Sequence, residues 1–200
     1  MRIINICGAR PNFMKIAPLM RAYKAFPSIE ALLVHTGQHY DEKMSQLFFD
    51  ELEIPRPDVN LEVGSGSHAQ QTAAIIQRFE PVVLERRPDA ILVVGDVNST
   101  LACSIVAKKL GIPVAHVEAG LRSGDMAMPE EINRRVTDAI SDWFFVTEPA
   151  GQANLLREGK REDQVFFVGH VMVDNLFYQR DQLAAADKSS FESESLKQRL

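Results

Sequence analysis

The sequence predicts an α/β fold, a three-layer arrangement with helices on both faces of one parallel sheet, on three observations. Short apolar runs rich in β-formers alternate with longer segments of helical period, the pattern of repeated βαβ units. The apolar runs are continuous rather than alternating in and out, as strands covered on both faces require. Glycine and polar residues follow most of these runs, where an open parallel sheet presents its ligand-binding edge.

Strands are expected at 2–7 (RIINIC), 31–36 (ALLVHT), 90–95 (AILVVG), 113–117 (PVAHV), 143–147 (WFFVT) and 165–168 (VFFV), each short and largely apolar. Helices fill the intervals near 13–25, 41–52, 68–86, 98–110, 130–142, 149–158 and 172–186. Pro18 and Pro81 fall inside the first and third helices and are expected to kink or divide them. Ser67 is the expected N-cap of the third, and Gly64 and Gly66 let the chain turn into it. GSGSHA at 64–69 also fits a loose dinucleotide fingerprint, but the VNLEV before it is a poor strand and Glu85 lies in helical sequence.

The chain has 200 residues, 46% hydrophobic and 24% charged, enough for one well-formed core and unlike a disordered sequence. Its net charge of −5, without a polybasic run, argues against nucleic acid and anionic membrane as partners. No apolar stretch approaches bilayer length and no signal peptide opens the chain, so a cytoplasmic location is expected. Cys7 and Cys103 lie in apolar segments without disulfide or metal spacing and are expected to be small buried hydrophobes. No pair of histidines, or histidine and cysteine, shares a metal-ligand spacing, so no metal is expected. His35 and His116, inside strands, are expected to be satisfied core or sheet-face residues rather than ligands.

The chemistry concentrates after the strands. GARPNFMK supplies Gly8 for a tight turn, then Arg10 and Lys15 around a helix N-terminus, a combination suited to a phosphate or carboxylate. GDVNST places Asp96 beyond a buried strand, as a helix N-cap, a ligand-facing carboxylate or both. HVEAGLRSGDMAMPEEINRR sets Glu118 at a strand end, where desolvation raises its pKa unless Arg122 compensates. Glu130 and Glu131 then open a helix, with Glu130/Arg134 and Glu131/Arg135 as expected i,i+4 pairs. Carboxylates sharing one crevice in unequal environments are what acid/base chemistry requires.

GARPNFMKIAPL, TGQH, GDVNSTLA, HVEAGLRSGD, MPEEINR and VGHVMVD, in this order and at these intervals, resemble the N-terminal half of the non-hydrolysing UDP-N-acetylglucosamine 2-epimerase family, over about residues 1–185. The resemblance implies a Rossmann-like domain, one half of a glycosyltransferase-B-type fold with the UDP-sugar in the cleft between two domains. Residues 1–186 would form the first domain, and 187–200 a polar tail or the start of the connection to an absent C-terminal domain. It implies interconversion of UDP-GlcNAc and UDP-ManNAc by elimination of UDP and its re-addition, with no cofactor. Asp96, Glu118 and Glu130 would be the catalytic carboxylates, with Arg10, Lys15, Arg122 and Arg134 binding substrate. The segment before PEE is two residues shorter than the familiar family spelling, so Glu130 rather than Glu131 follows from aligning the first Glu of the pair.

Gln38 and His39 match the loop with which bacterial members bind a second UDP-GlcNAc, but Tyr40 and Asp41 follow where an Arg is common, which speaks against allosteric activation. His170 receives no role. A hydrolysing epimerase shares the same carboxylates, and a non-catalytic sugar-nucleotide-binding module is the reading from another class. A single domain is expected to be inactive, to bind UDP-GlcNAc only weakly, and to self-associate as a homo-oligomer through a partly apolar severed face.

Overall fold

A computed structural model describes residues 1–37 and 49–186. Gln38, His39, Tyr40, Asp41, most of the helix expected at 41–52 and the 187–200 tail lie outside the described residues, as does the side chain of Arg10. The chain runs through β1 (Arg2–Cys7), α1 (Arg10–Tyr23), β2 (Glu30–His35), β3 (Val59–Asn60), α2 (His68–Arg86) and β4 (Ala90–Val94). It continues through α3 (Asn98–Lys109), β5 (Val114–Val117), α4 (Pro129–Ile140), β6 (Trp143–Val146), α5 (Pro149–Arg157), β7 (Val165–Phe167) and α6 (Val171–Ala185).

Every strand pair is parallel, and the sheet order is β3-β2-β1-β4-β5-β6-β7. The chain winds outward from β1 to β3, then returns to the other side of β1 and winds the opposite way. The connections leaving β1 and β4 therefore diverge, opening the crevice in which such sheets bind ligands. This is a Rossmann-like α/β sheet, as the sequence predicts.

Alternate strand residues feed two cores. Ile4, Ile6, Ile91 and Val93 pack with Ile75, Phe79 and Val83 of α2 and Ala102, Cys103 and Val106 of α3. Cys7, Leu33, Leu92, Val94 and Val117 pack on the other face with Phe13, Ile16, Ala17 and Met20 of α1 and Val171 of α6. Both cysteines are free and buried, and burial pushes their thiol pKa values up.

Two expectations need correction. β3, only two residues long, is a strand where the charge-interrupted VNLEV predicts none; it adds to the edge by pairing Val59 with Val34 and Asn60 with His35. Pro18 and Pro81 do not divide their helices: α1 and α2 run through them. A proline removes one helical hydrogen bond, but the apolar stripes Phe13–Ile16–Ala17–Met20 and Ile75–Phe79–Val83 are buried along the helices, and that burial offsets the loss. Ser67 caps α2 as expected: its Oγ accepts from Gln70 N–H at 3.3 Å while Gln70 Oε1 accepts from Ser67 N–H at 3.2 Å.

Phe79 is fully buried and Phe167, on the edge strand, is 58% exposed. Phe79→Ala is expected to lower the unfolding free energy by about 3–5 kcal/mol and Phe167→Ala by less than about 1 kcal/mol, read from urea denaturation.

Candidate active site

The site is built at the carboxyl edge where β1, β4 and β5 end. Gly8 closes β1 against the hydroxyls of Thr36 and Ser99, which lie 2.7 Å apart; a Cβ at Gly8 would collide with Ser99. α1 follows at once. Its Asn12 accepts from Ala9 N–H at 3.1 Å and donates to the Val94 carbonyl at 2.9 Å, tying the helix start to the end of β4.

β4 ends at Gly95, whose φ of +66° favours glycine for conformational reasons. A side chain there would also crowd the ion pair: a Cβ would stand 2.9 Å from Lys15 Nζ, 3.3 Å from Glu118 Oε2 and 3.6 Å from Asn12 Nδ2, so the lysine tip would have to move. Lys15 and Glu118 meet directly over this glycine in an ion pair, both side chains 10% exposed. Glu118 is held at a φ of +71°, a conformation that a non-glycine residue adopts at a cost and that concentrates at functional sites. Its other oxygen, Oε1, faces His170 Nε2 at 3.5 Å.

One strand over, Asp96 Oδ2 accepts from Arg134 Nε at 2.9 Å and Nη2 at 2.6 Å. The third Arg134 nitrogen reaches Glu131 Oε2 at 3.0 Å, and Asn133 donates to the Asp96 carbonyl at 2.8 Å. Burial opposes charge on Glu131, but hydrogen bonds from Ser123 and Arg134 outweigh it and lower its pKa. Glu130 is half-buried in the first turn of α4, beside this cluster in sequence.

The structure thus brings Lys15, Asp96, Glu118 and Arg134 to one edge of the sheet and redistributes several expected partners. Arg122 does not compensate Glu118: it donates to Asp138 at 2.8 Å and clamps Glu158 through Nε and Nη2 at 2.9 and 2.6 Å, leaving Lys15 as the cation on Glu118. Asp96 is not a cap, because Val97 occupies the N-cap of α3 and the Asp96 carboxylate turns to Arg134. The expected i,i+4 pairs on α4 give way to Arg134–Glu131 at i,i+3, since Arg134 must also reach Asp96.

Beneath the edge, His116 is completely buried, with Nδ1 2.6 Å from Asp138 Oδ1 and Nε2 2.8 Å from the Gly95 carbonyl. Both nitrogens face acceptors, so the imidazolium satisfies both. Burial by itself would lower its pKa; the charge and hydrogen bond of Asp138, with the Gly95 carbonyl, overcome that and raise it. Asp138 is lowered for the reciprocal reason, by His116 and Arg122 against its own burial. His116 is thus a satisfied core residue, as expected, and also the support of the turn between Gly95 and Asp96. Asp138 had no signal beyond being an acid among apolar and small residues of α4, and the exposed-looking GH at a strand end was the only pointer to His170.

Among the described residues no cluster of His, Cys, Asp or Glu is arranged to hold a metal ion. The family model described as UDP-N-acetylglucosamine 2-epimerase matches residues 21–200. The chain belongs to the UDP-N-acetylglucosamine 2-epimerase family. Among its relatives in that family, a UDP-N-acetylglucosamine 2-epimerase homolog of Methanococcus maripaludis is 49% identical over 176 residues, 88% of this chain and 48% of the relative. The UDP-2,3-diacetamido-2,3-dideoxy-D-glucuronate 2-epimerase of Pseudomonas aeruginosa is 43% identical over 180 residues, 89% of this chain and 51% of the relative. The crystal structure of the Methanocaldococcus jannaschii UDP-GlcNAc 2-epimerase in complex with UDP-GlcNAc and UDP superposes with a TM-score of 0.89 at 44% identity, covering 94% of this chain and 52% of that one. The chain spans about half the length of these relatives.

The buried pair sets a pH window. The raised pKa of His116 contributes stability below its ordinary 6.5 that is lost as pH rises through the folded value; the lowered pKa of Asp138 contributes stability above its ordinary 3.8 that is lost as pH falls through the folded value. Thermal melting across pH is expected to show a plateau between these limits and a decline above it. His116→Asn is expected to melt lower and to lose the alkaline decline; an unchanged alkaline limb in that variant contradicts the assignment.

Proposed function

We propose that this chain is the N-terminal half of the catalytic cleft of a UDP-N-acetylglucosamine 2-epimerase, interconverting UDP-GlcNAc and UDP-ManNAc. The observation that carries the reading is the Lys15–Glu118 pair beside Asp96–Arg134 at the point where the sheet reverses direction, in a chain that matches half of a UDP-GlcNAc-bound relative. A C-terminal Rossmann-like domain supplies the other wall in a glycosyltransferase-B-type pairing, with residues 1–186 as the first domain and 187–200 leading towards the second.

The reaction has a particular need for carboxylates. The C2 hydrogen of the sugar has no ring carbonyl beside it, so cleavage of the C1–O bond to UDP runs ahead of proton loss through an oxocarbenium-like state, as in glycoside cleavage. Asp96, Glu118 and Glu130 stabilise the positive charge at C1 and take and return the C2 proton. Arg10 and Lys15, at the N-terminus of α1, and Arg134 balance the diphosphate and the carboxylates. Arg122, engaged by Asp138 and Glu158, shapes the loop after β5 and remains a proposed substrate contact through that loop. Gln38 and His39 remain proposed sugar-nucleotide contacts of the loop after β2.

Phe166, Phe167 and Val168 at the β7 edge and Val173, Leu176 and Phe177 on α6 are exposed apolar residues, which supports a further domain or a second copy covering this side. A cytoplasmic location is part of this reading; no helix among the described residues is long and apolar enough to cross a membrane. The 43% identity to the Pseudomonas enzyme supports a second reading, in which the sugar is a 2,3-diacetamido uronate carrying the same C2 chemistry.

In the full-length protein, Glu118→Gln and Asp96→Asn are each expected to reduce kcat by roughly 10²–10⁴-fold with little change in melting temperature. Turnover in D₂O is expected to place deuterium at C2, and the 200-residue chain alone is expected to give no product. Assays with UDP-GlcNAc and with the diacetamido uronate side by side decide between the two substrates. Near-normal kcat in both variants, or product without deuterium, rejects the scheme.

A further inference from the structure

The ion pair with Lys15 accounts for only one oxygen of Glu118. The other, Oε1, faces the imidazole of His170 across 3.5 Å, a separation that a small rotation of the His170 side chain converts into a hydrogen bond. His170 is the residue immediately before α6, and its ring caps that helix: Nδ1 accepts from the Met172 N–H at 3.3 Å, the task that Ser, Thr, Asp or Asn usually performs. A ring nitrogen that accepts a hydrogen bond carries no proton. In the neutral ring the proton therefore sits on Nε2, the nitrogen turned towards Glu118.

The position of the helix that the ring caps is fixed by packing. Val171, next to it, is buried in the α1-side core. Arg21 of α1 donates to Asn175 of α6 at 2.8 Å, and its guanidinium lies 3.9 Å from the centre of the Tyr178 ring. α6 is thus clamped along α1, the helix that also carries Lys15. Two donors reach one carboxylate from two helices that are held together: Lys15 on Oε2 and His170 on Oε1.

We propose that His170 is a positioning residue for Glu118, its Nε2–H orienting the carboxylate that Lys15 holds from the other side. The proposal rests on the reading of Glu118 as a carboxylate of the reaction. With Nδ1 committed to the helix and Nε2 protonated, His170 has no lone pair free to take a substrate proton, so it acts through Glu118 and not as a general base.

The cap and the contact with Glu118 can be separated. His170→Asn keeps a good N-cap acceptor but is too short to reach Glu118. In the 200-residue protein labelled with ¹⁵N at histidine, long-range ¹H–¹⁵N spectra at neutral pH are expected to show His170 as the Nε2–H tautomer. Glu118→Gln is expected to move its Nε2 and Cε1–H resonances, and His170→Asn to leave the melting temperature unchanged. In the full-length enzyme His170→Asn is expected to lower kcat by about 10- to 100-fold, the cost of a misplaced reacting group, with KM little changed. An Nδ1–H tautomer, or resonances indifferent to Glu118→Gln, overturns the proposal whatever the activity. Wild-type kcat in His170→Asn beside an inactive Glu118→Gln overturns it while leaving the function of Glu118 intact. A fully active Glu118→Gln overturns both.

Discussion

The placement of one carboxylate over one glycine governs this edge of the molecule. Lys15 and Glu118 are 103 residues apart in sequence and meet above Gly95, where a Cβ would crowd the lysine ammonium. Three separate features maintain the encounter. Asn12 ties α1 to the end of β4, Glu118 adopts a left-handed backbone conformation, and the ring of His116 braces the Gly95 carbonyl from within the sheet. A side chain at Gly95 would displace the lysine ammonium and strain a left-handed turn.

The electrostatics follow from the same arrangement. The chain is acidic overall, yet three cations meet where strands β4 and β5 end, Lys15, Arg134 and Arg122, with a buried His116 whose pKa is raised. Each is opposed by an acid, so the site is an array of oriented pairs rather than a basic patch. Oriented pairs in a partly dehydrated edge can meet charge that develops on a substrate without reorganising, which is the largest contribution such sites make to catalysis. The network Arg122–Asp138–His116 extends this order inward and fixes the loop after β5 through Asp138, which also accepts from Gly120 N–H.

Much of this was legible in the sequence. Apolar runs gave the six longer strands, and α2 runs over the same residues, 68–86, that its periodicity and Ser67 cap indicate. The principle that ligands gather after parallel strands pointed to the sheet edge at which Lys15, Asp96 and Glu118 stand together. What failed was partner choice. Spacing along α4 suggests Glu130–Arg134, but tertiary reach assigns Arg134 to Asp96 and Glu131; proximity in sequence suggests Arg122 for Glu118, but α1 crosses the sheet edge and delivers Lys15. Pro18 and Pro81 mislead because local propensity is weak beside the burial of a whole helix face. The approach of His170 to Glu118 depends on α6 folding back along α1, which no local pattern encodes.

We propose that this edge, and no other surface of the chain, receives the nucleotide sugar. Backbone amide ¹H–¹⁵N spectra of the protein during titration with UDP-GlcNAc into the millimolar range, where a weak half-site of about −4 kcal/mol becomes visible, test it most directly. The shifts are expected to cluster at Ala9, Lys15, Gly95, Asp96 and Glu118, and Gly95→Ala is expected to abolish them. Shifts confined to α5 and β7, or a pattern unchanged by Gly95→Ala, would contradict it.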